Sequence, residues 1–541
     1  MALSIIQAGS SLQLMDTLGG LQTLTLPTGV TLRTDVPPRW VVDGRYVVLV
    51  NTPSQPLTID ALGVVRLLTP KPPRLAPILT GPNAGGLSGT FRSKMTFAII
   101  DSVGNIISES DYGPFSAPVS IAAKSILASN LDISPDQINQ RRLYRTTDNG
   151  AVYFQWVDLD GNIITSVQDD LSDAGLSLFA APILGTPPRL TTIAEFRGRL
   201  WGTGDVDIDH LRYTEAGFRY AWPAENVIEI PAVGSDEFGI VALAPRREAL
   251  GVGRRNTLVQ ITGSGAEIDG IPDFDRVILS KECGIESQET AKVFRDTAYF
   301  LWKDGVYSWG SEGIVCISDG DNNGKGNVRS WFVTDDYFNR DLFTRAFAHI
   351  DAHDPIYRLF LASAGSDTID SWVEYDLNSK TWWGPHSTEL FRPTSAFTRS
   401  DAAAKELAVI GSHEANVYDS QDTRTDGTAT AIEFDAIGKR HDLKEPDQNK
   451  YFGEISILGK VQDSGELTVT SRVGELNATT NAASAKTRTI VQPNDLRKNR
   501  QRLGRIGQGK HAQIELTNAQ VDTDVVVYGF EIDPVNLLGR R

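Results

Sequence analysis

The sequence predicts an all-β protein. It reads as a β-propeller of about six blades, interrupted by an immunoglobulin- or fibronectin-like β-sandwich and followed by a C-terminal β-sandwich. Three observations predict this. The first is a repeated unit: Ile193–Pro223, Ile240–Gly263 and Glu289–Ser318 each hold a short strand, a polar turn and a second strand. Short strands rich in β-branched and aromatic residues, punctuated by Gly and Asp, form hairpins, and a period of roughly 40–50 residues is that of propeller blades. The second is a pair of proline-rich borders, Lys71–Pro77 and Leu184–Leu190, which bracket a segment with strands of its own. Such borders mark the hinges of an inserted domain. The third is a change of texture past the polar break at Asp422–Gly427, where long alternating strands carry few aromatics. A series of packed sandwiches is the competing architecture.

In chain order, residues 1–70 form an N-terminal segment and the first blade. Thr23–Leu32 alternates, and Arg39–Pro70 reads as three strands with turns at Asp43-Gly44, Pro53–Pro56 and Leu62-Gly63. Asp-Gly is a strong hairpin dipeptide. Residues 71–188 are the inserted sandwich. There Gly89–Asp101 alternates, Arg141–Asp170 gives three strands turning at Asn149-Gly150 and Asp160-Gly161, and Ser134–Gln140 leans towards helix. The propeller resumes over 189–422, where Tyr357–His386 and Ala396–Asp422 bring the count of blade-like units to six. Residues 429–541 are the second sandwich.

The chain has 541 residues, more than one core usually serves, and a net charge of −16. From Lys486 to Arg541 there are 10 basic and 6 acidic residues, a local +4, which leaves −20 on the rest. An acidic body is unsuited to gripping nucleic acid, which requires Lys and Arg against phosphate. Cys283 and Cys316 give no CxxC spacing and no disulfide framework, although a single bond between them stays open. The first residues lack the basic region of a signal peptide, and no window approaches the roughly 18 apolar residues of a membrane span. These features predict a soluble protein with no membrane span.

Candidate chemistry is sparse. Asp319–Asn327 (DGDNNGKGN) begins like a calcium loop, but its twelfth position is Ser330 instead of the Glu that closes the coordination shell. It misses a P-loop as well, and reads as a connector between blades. His349, Asp351 and His353 alternate, so they share one strand face. That face either holds a metal or looks at solvent. Thr146–Gly150 with Tyr153 resembles the Asp-box of sialidase-like propellers, yet Asn149-Gly150 also makes a plain hairpin turn. Trp201, Trp302, Trp309 and Trp331 fall on strands or at their ends, as core residues would. No nucleophile or zinc-hydrolase motif is found. The reading assigns no catalytic residue, no metal and no cofactor. Arg497, Lys498, Arg500, Arg502, Arg505 and Lys510 form a basic segment with no acid among them. It is either a solvated loop between strands or a contact for an acidic partner or DNA.

Three stretches taken together resemble the tail nozzle (hub, or stabilisation) proteins of short-tailed bacteriophages. They are Glu195–Phe218 running on to Trp222, Ile278–Ile314 and Arg141–Gly161, and the ending Gly529–Arg541 is similar too. The resemblance spans most of the chain in order, less so its first 35 residues. It implies a non-enzymatic structural virion protein of the tail, assembled in the host cytoplasm. It also implies a homohexamer that continues the DNA ejection channel below the portal and adaptor and supports fibres or spikes. Double-stranded DNA would pass without sequence-specific binding. The charge split suggests that the propeller and its loops, including Asp319–Asn327, line or face the channel and that Arg497–Lys510 lies away from the DNA, against an acidic adaptor or fibre surface. A carbohydrate-binding or carbohydrate-degrading propeller is the alternative function.

Overall fold

The computed structural model describes the chain except for residues 1–3, 17–19, 205, 235–237, 269–270, 321–326, 352–354, 388–391, 401–405, 414–416, 420–424, 427–429, 432–433, 438–449, 463–465, 475–485, 492–498, 510, 519–523 and 538–541. It falls into two compact units, Met1–Tyr418 and Asp419–Arg541.

The first unit is built on six antiparallel meanders whose strand order follows the chain. Blade one is Arg39–Asp43, Tyr46–Val50, Leu57–Asp60 and Val65–Leu67. Blade two is Thr192–Phe196, Arg199–Thr203, His210–Tyr213 and Val227–Glu229. Blade three is Ala242–Pro245, Leu250–Gly253, Leu258–Thr262 and Asp275–Ser280. Blade four is Lys292–Phe294, Thr297–Trp302, Gly305–Gly310 and Gly313–Cys316. Blade five is Phe347–Asp351, Ile356–Leu361, Ser371–Asp376 and Thr381–Ser387. Blade six shows three described strands, Pro393–Ser400, Glu406–Ser412 and Val417–Asp419. The first strands of the six sheets lie side by side in chain order, which is the arrangement of a propeller.

Alternation gives the blades apolar faces, and the seams from blade one to blade four are filled from both sides. Val48 and Val50 meet Leu200 and Trp222 between blades one and two. Trp201 and Tyr213 meet Leu243 and Val252 between two and three. Ala244 and Leu258 meet Phe300 and Trp309 between three and four. Each fully buried large side chain contributes about 1.5–3 kcal/mol, so the seams dominate the stability of the ring. One seam depends on a missing side chain. A Cβ on Gly251 would lie 2.6 Å from the Trp309 ring. Gly251→Ala is therefore expected to lower stability by about 1–3 kcal/mol through overpacking. Urea unfolding followed by tryptophan fluorescence would measure it, and an unchanged midpoint would mean that the seam has room to give.

The N-terminus differs from the sequence expectation. Thr23–Leu32 is not one strand. A separate sheet of Ser4–Ala8, Ser11–Met15 and Leu21–Leu24 stops at Leu24, because Pro27 has no N–H to donate and the chain turns at Gly29 (φ 77°). Leu12 and Leu24 of this sheet pack on Leu49, Leu57 and Ile59, the face of blade one opposite Val48 and Val50.

The insert, running from Ile78–Thr80 to Ser166–Asp169, is a sandwich. Its four-stranded sheet has the order Ile106–Glu109, Ser93–Ile100, Gln140–Thr146, Tyr153–Asp160, with smaller sheets opposite. Met95, Phe97 and Leu143 face Ala128 and Leu131 across the core. Ser134–Gln140 forms no helix. The Ser134 hydroxyl accepts from the Asp136 N–H, and the Asp136 carboxylate accepts from the Lys71 N–H, so these side chains hold a turn.

Among its described residues the second unit has two larger sheets beside a two-stranded one, Thr425–Asp426 with Thr430–Ala431. One larger sheet has the order Phe434–Ile437, His511–Asn518, Glu466–Gly474, Lys486–Val491, and the other Asn499–Gly509, Lys450–Gln462, Asp524–Leu537. Phe452, Val469, Val473, Ala512 and Ile514 are buried in it.

Candidate functional site

Charged side chains gather where the first strands of the blades converge. Arg39 opens blade one. Its guanidinium donates to the Thr191 carbonyl (2.8 Å) and the Thr192 hydroxyl (2.6 Å) of blade two, and to the Glu289 carboxylate (2.7 Å), which precedes blade four. Blades one and four stand on opposite sides of a six-bladed ring, so this ion pair bridges the propeller axis. Beside it, the Gln288 side chain accepts from Leu243 N–H and donates to Leu243 C=O, joining blades three and four.

Blade five adds His349 and Asp351, both buried. The His349 Nε2 lies 2.9 Å from the Thr398 hydroxyl of blade six. Burial first, then the neighbouring charges of Arg358 and Lys292, hold its pKa down at about 4, against a smaller opposing pull from Asp351. The imidazole is therefore neutral at pH 7. At His349 and Asp351 this face does not look at solvent, and the described residues hold no group of three metal-ligating side chains. His353 lies outside the described residues.

A second polar cluster joins the insert to the propeller. The buried Glu109 carboxylate accepts from Thr96 (2.6 Å), Tyr144 (2.7 Å) and Arg142 (3.0 Å). Lys94 on the same sheet places its ammonium 3.2 Å from the Tyr112 ring centroid and 4.6 Å from that of Tyr153. Burial lowers its pKa to about 8. Arg219 closes the seam. It pairs with Asp43 of blade one (3.1 Å), donates to the Ile107 carbonyl of the insert (3.3 Å) and stacks 3.8 Å over Tyr46. Sequence reasoning missed this cluster and the axial one, because their members are separated by up to 250 residues.

The remaining candidates divide as follows. Asp319 is engaged by Arg329 (2.9 Å), which also binds Asp304, and 321–326 lie outside the described residues. Asn149-Gly150 makes the hairpin turn between Gln140–Thr146 and Tyr153–Asp160, with Asn149 left-handed (φ 53°). Trp201 and Trp309 are buried, whereas Trp331 sits on a short helix, Ser330–Val333. Both cysteines are free thiols. The basic segment is not the expected loop. Asn499–Gly509 is a strand, and it sets Arg500, Arg502 and Arg505 opposite Leu458, Ser456 and Glu454. A bulge at Leu503 absorbs the odd spacing. Glu454 and Ser456 in turn pair with Asp533 and Glu531 on the other side, so the basic strand and these last two acidic positions lie on opposite edges of the three-stranded sheet. Arg497, Lys498 and Lys510 lie outside the described residues. Among the described residues, no helix is long and apolar enough to cross a membrane.

No protein-family model and no curated protein matches the chain. Many solved structures are similar to it, among them these three. The extracellular domain of the one-component system BT4673 from B. thetaiotaomicron shares 9% identity, with a TM-score of 0.26, over 91% of this chain and 76% of that one. PorZ, a bacterial surface component of the type-IX secretion system of Porphyromonas gingivalis, shares 9%, with a TM-score of 0.29, over 100% and 80%. Hsv2 of Kluyvelomyces marxianus shares 7%, with a TM-score of 0.22, over 55% and 68%. At such identities and TM-scores none of them bears on function.

Proposed function

We propose that the chain is a structural virion protein: the nozzle or hub ring of a short phage tail. It would continue the DNA channel below the portal and adaptor and support fibres or spikes. The observation that carries this reading is what the buried charges do. Arg145 binds Asp169 and Asp173, Arg142 binds Glu109 and Asp158, and Arg39 joins blades one, two and four. Arg145 and Arg142 lock strands together within the inserted sandwich, and Arg39 fastens blade one to blades two and four, so the buried cations brace the fold as a load-carrying part requires. The Arg39–Glu289 bridge across the propeller axis bears on the route of DNA. On this reading the conduit runs between copies, past the outside of the propeller, and six copies bring −96 (six times −16) to it. An acidic wall gains nothing from contact with phosphate and lets DNA slide. Arg497–Lys510 would lie away from that path, against an acidic adaptor or fibre surface.

Heterologous contacts that close give cyclic rings. Native mass spectrometry of the purified protein, alone and with its adaptor, is expected to show six copies in at least one condition. Stable dimers or tetramers in both would overturn the ring.

A further inference from the structure

The seam between blades four and five opens into a groove of about 970 Å³. Its floor is one face of blade four. Tyr299, Ser308 and Val315 stand directly opposite one another on three adjacent strands, and Gly310 pairs with Gly313 further along. At the seam between blades two and three such positions carry Trp201 and Tyr213, and at the next seam the small residues of blade three, Ala244 and Gly251 among them, are covered by Trp309 of blade four. Here a serine and two glycines leave space that blade five does not fill. The opposite wall is the turn between the last two strands of blade five, backed by Tyr375. That turn is fixed before any ligand arrives. The Asp376 carboxylate accepts from the N–H groups of Asn378 and Ser379, Lys380 is left-handed (φ 56°), and the Ser379 and Thr381 hydroxyls bond each other at 2.6 Å.

The lining selects a ligand class. Thr297, Tyr299, Ser308, Ser311, Ser379 and Thr381 all bring hydroxyls, each able both to donate and to accept. The only charges among the lining residues are one acid, Glu312, and one base, Lys380, which cancel. Val315, Leu377 and the Tyr299 ring supply apolar surface between the hydroxyls. A ligand that matches carries its own dense hydroxyls, no net charge and patches of C–H surface. We propose that this groove is a binding site for a short neutral oligosaccharide. Nucleic acid is disfavoured by a lining without net positive charge. An extended peptide would need an unpaired strand edge to add to, and the floor here is a sheet face. The proposal goes beyond the ring reading and does not depend on it.

The test is saturation-transfer NMR on the full chain with maltohexaose, cellohexaose and chitohexaose as probes, followed by titration. At least one is expected to bind with a Kd on the order of 1 mM or tighter. Ser308→Trp fills the floor and is expected to weaken that binding by about 10-fold or more without moving Tm. Thr23→Trp, in the separate slot beside blade one, should leave binding unchanged. If Ser308→Trp fails to fold, the double variant Ser379→Ala/Thr381→Ala removes two wall hydroxyls and should give a similar loss. The proposal is overturned if none of the three sugars binds at millimolar concentration. It is equally overturned if the groove variants bind like the parent, or if a Gly-Ser peptide is taken in place of the sugars. None of these results alters the copy number seen by native mass spectrometry, so the ring reading stands or falls separately.

Discussion

Replacing Arg145 with alanine is expected to destabilise the inserted sandwich by about 3–5 kcal/mol, the cost of leaving a buried charge without its partner. Arg145 and Asp169 are each 1% exposed and meet at 2.5 Å. The same guanidinium also reaches Asp173 (2.7 Å) and the carbonyls of Thr146 and Leu171, and it lies over the Phe91 ring at 5.3 Å. It thus ties the last strand of the sandwich, and the segment returning to the propeller, to the sheet core. Burial already raises the Asp169 pKa in spite of Arg145, so without the arginine this carboxyl would take up a proton and recover a little of the loss. Arg145→Met combined with Asp169→Leu removes both charges and should be much milder than Arg145→Ala alone. Urea unfolding, with limited proteolysis of the segment after Asp169, measures both. Equal damage from the single and double variants would mean that the ion pair is not what holds the insert.

Much of the ring was legible in the sequence, because blades write their pattern locally. Asp43-Gly44 turns where an Asp-Gly should, and Trp201 and Trp309 lie in the seams. What escaped was written non-locally or against propensity. Nothing near Arg39 announces Glu289, and nothing near His349 announces Thr398, since only the closing of blades against one another brings them together. The run NRQRLGRIGQG is poor in β-branched residues, yet it forms a strand because Lys450–Gln462 offers it a long edge to pair with. Strand propensity yields to context in this way. The floor of the groove was invisible for the opposite reason. Ser308, Gly310 and Gly313 read as ordinary turn-rich β sequence until the neighbouring blade is seen to stop short of them.

Acidification from pH 6.5 to 4 should weaken the parent chain by about 3 kcal/mol more than a His349→Gln variant. The sign follows from which state binds the proton. His349 titrates at about 4 in the folded protein and near 6.5 when unfolded. Between these values the unfolded chain gains a proton that the folded chain refuses, so stability falls as pH falls and levels off below about 4. The groups facing the imidazole explain the refusal. Arg358 and Lys292, from blades five and four, repel a positive ring, and the Thr398 hydroxyl brings no charge to compensate it. Asp351 pulls the other way and is outweighed by burial. Glu374 is paired with Arg358 at 2.7 Å and so tempers that repulsion. Other carboxylates whose folded pKa is lowered, Asp60 among them, also lose stabilisation in acid, but they do so equally in parent and variant. The difference between the two stability curves therefore isolates one side chain where three blades meet. Urea midpoints at half-unit pH steps would trace it, and parallel curves would show that His349 takes up its proton in the folded ring as readily as in the open chain.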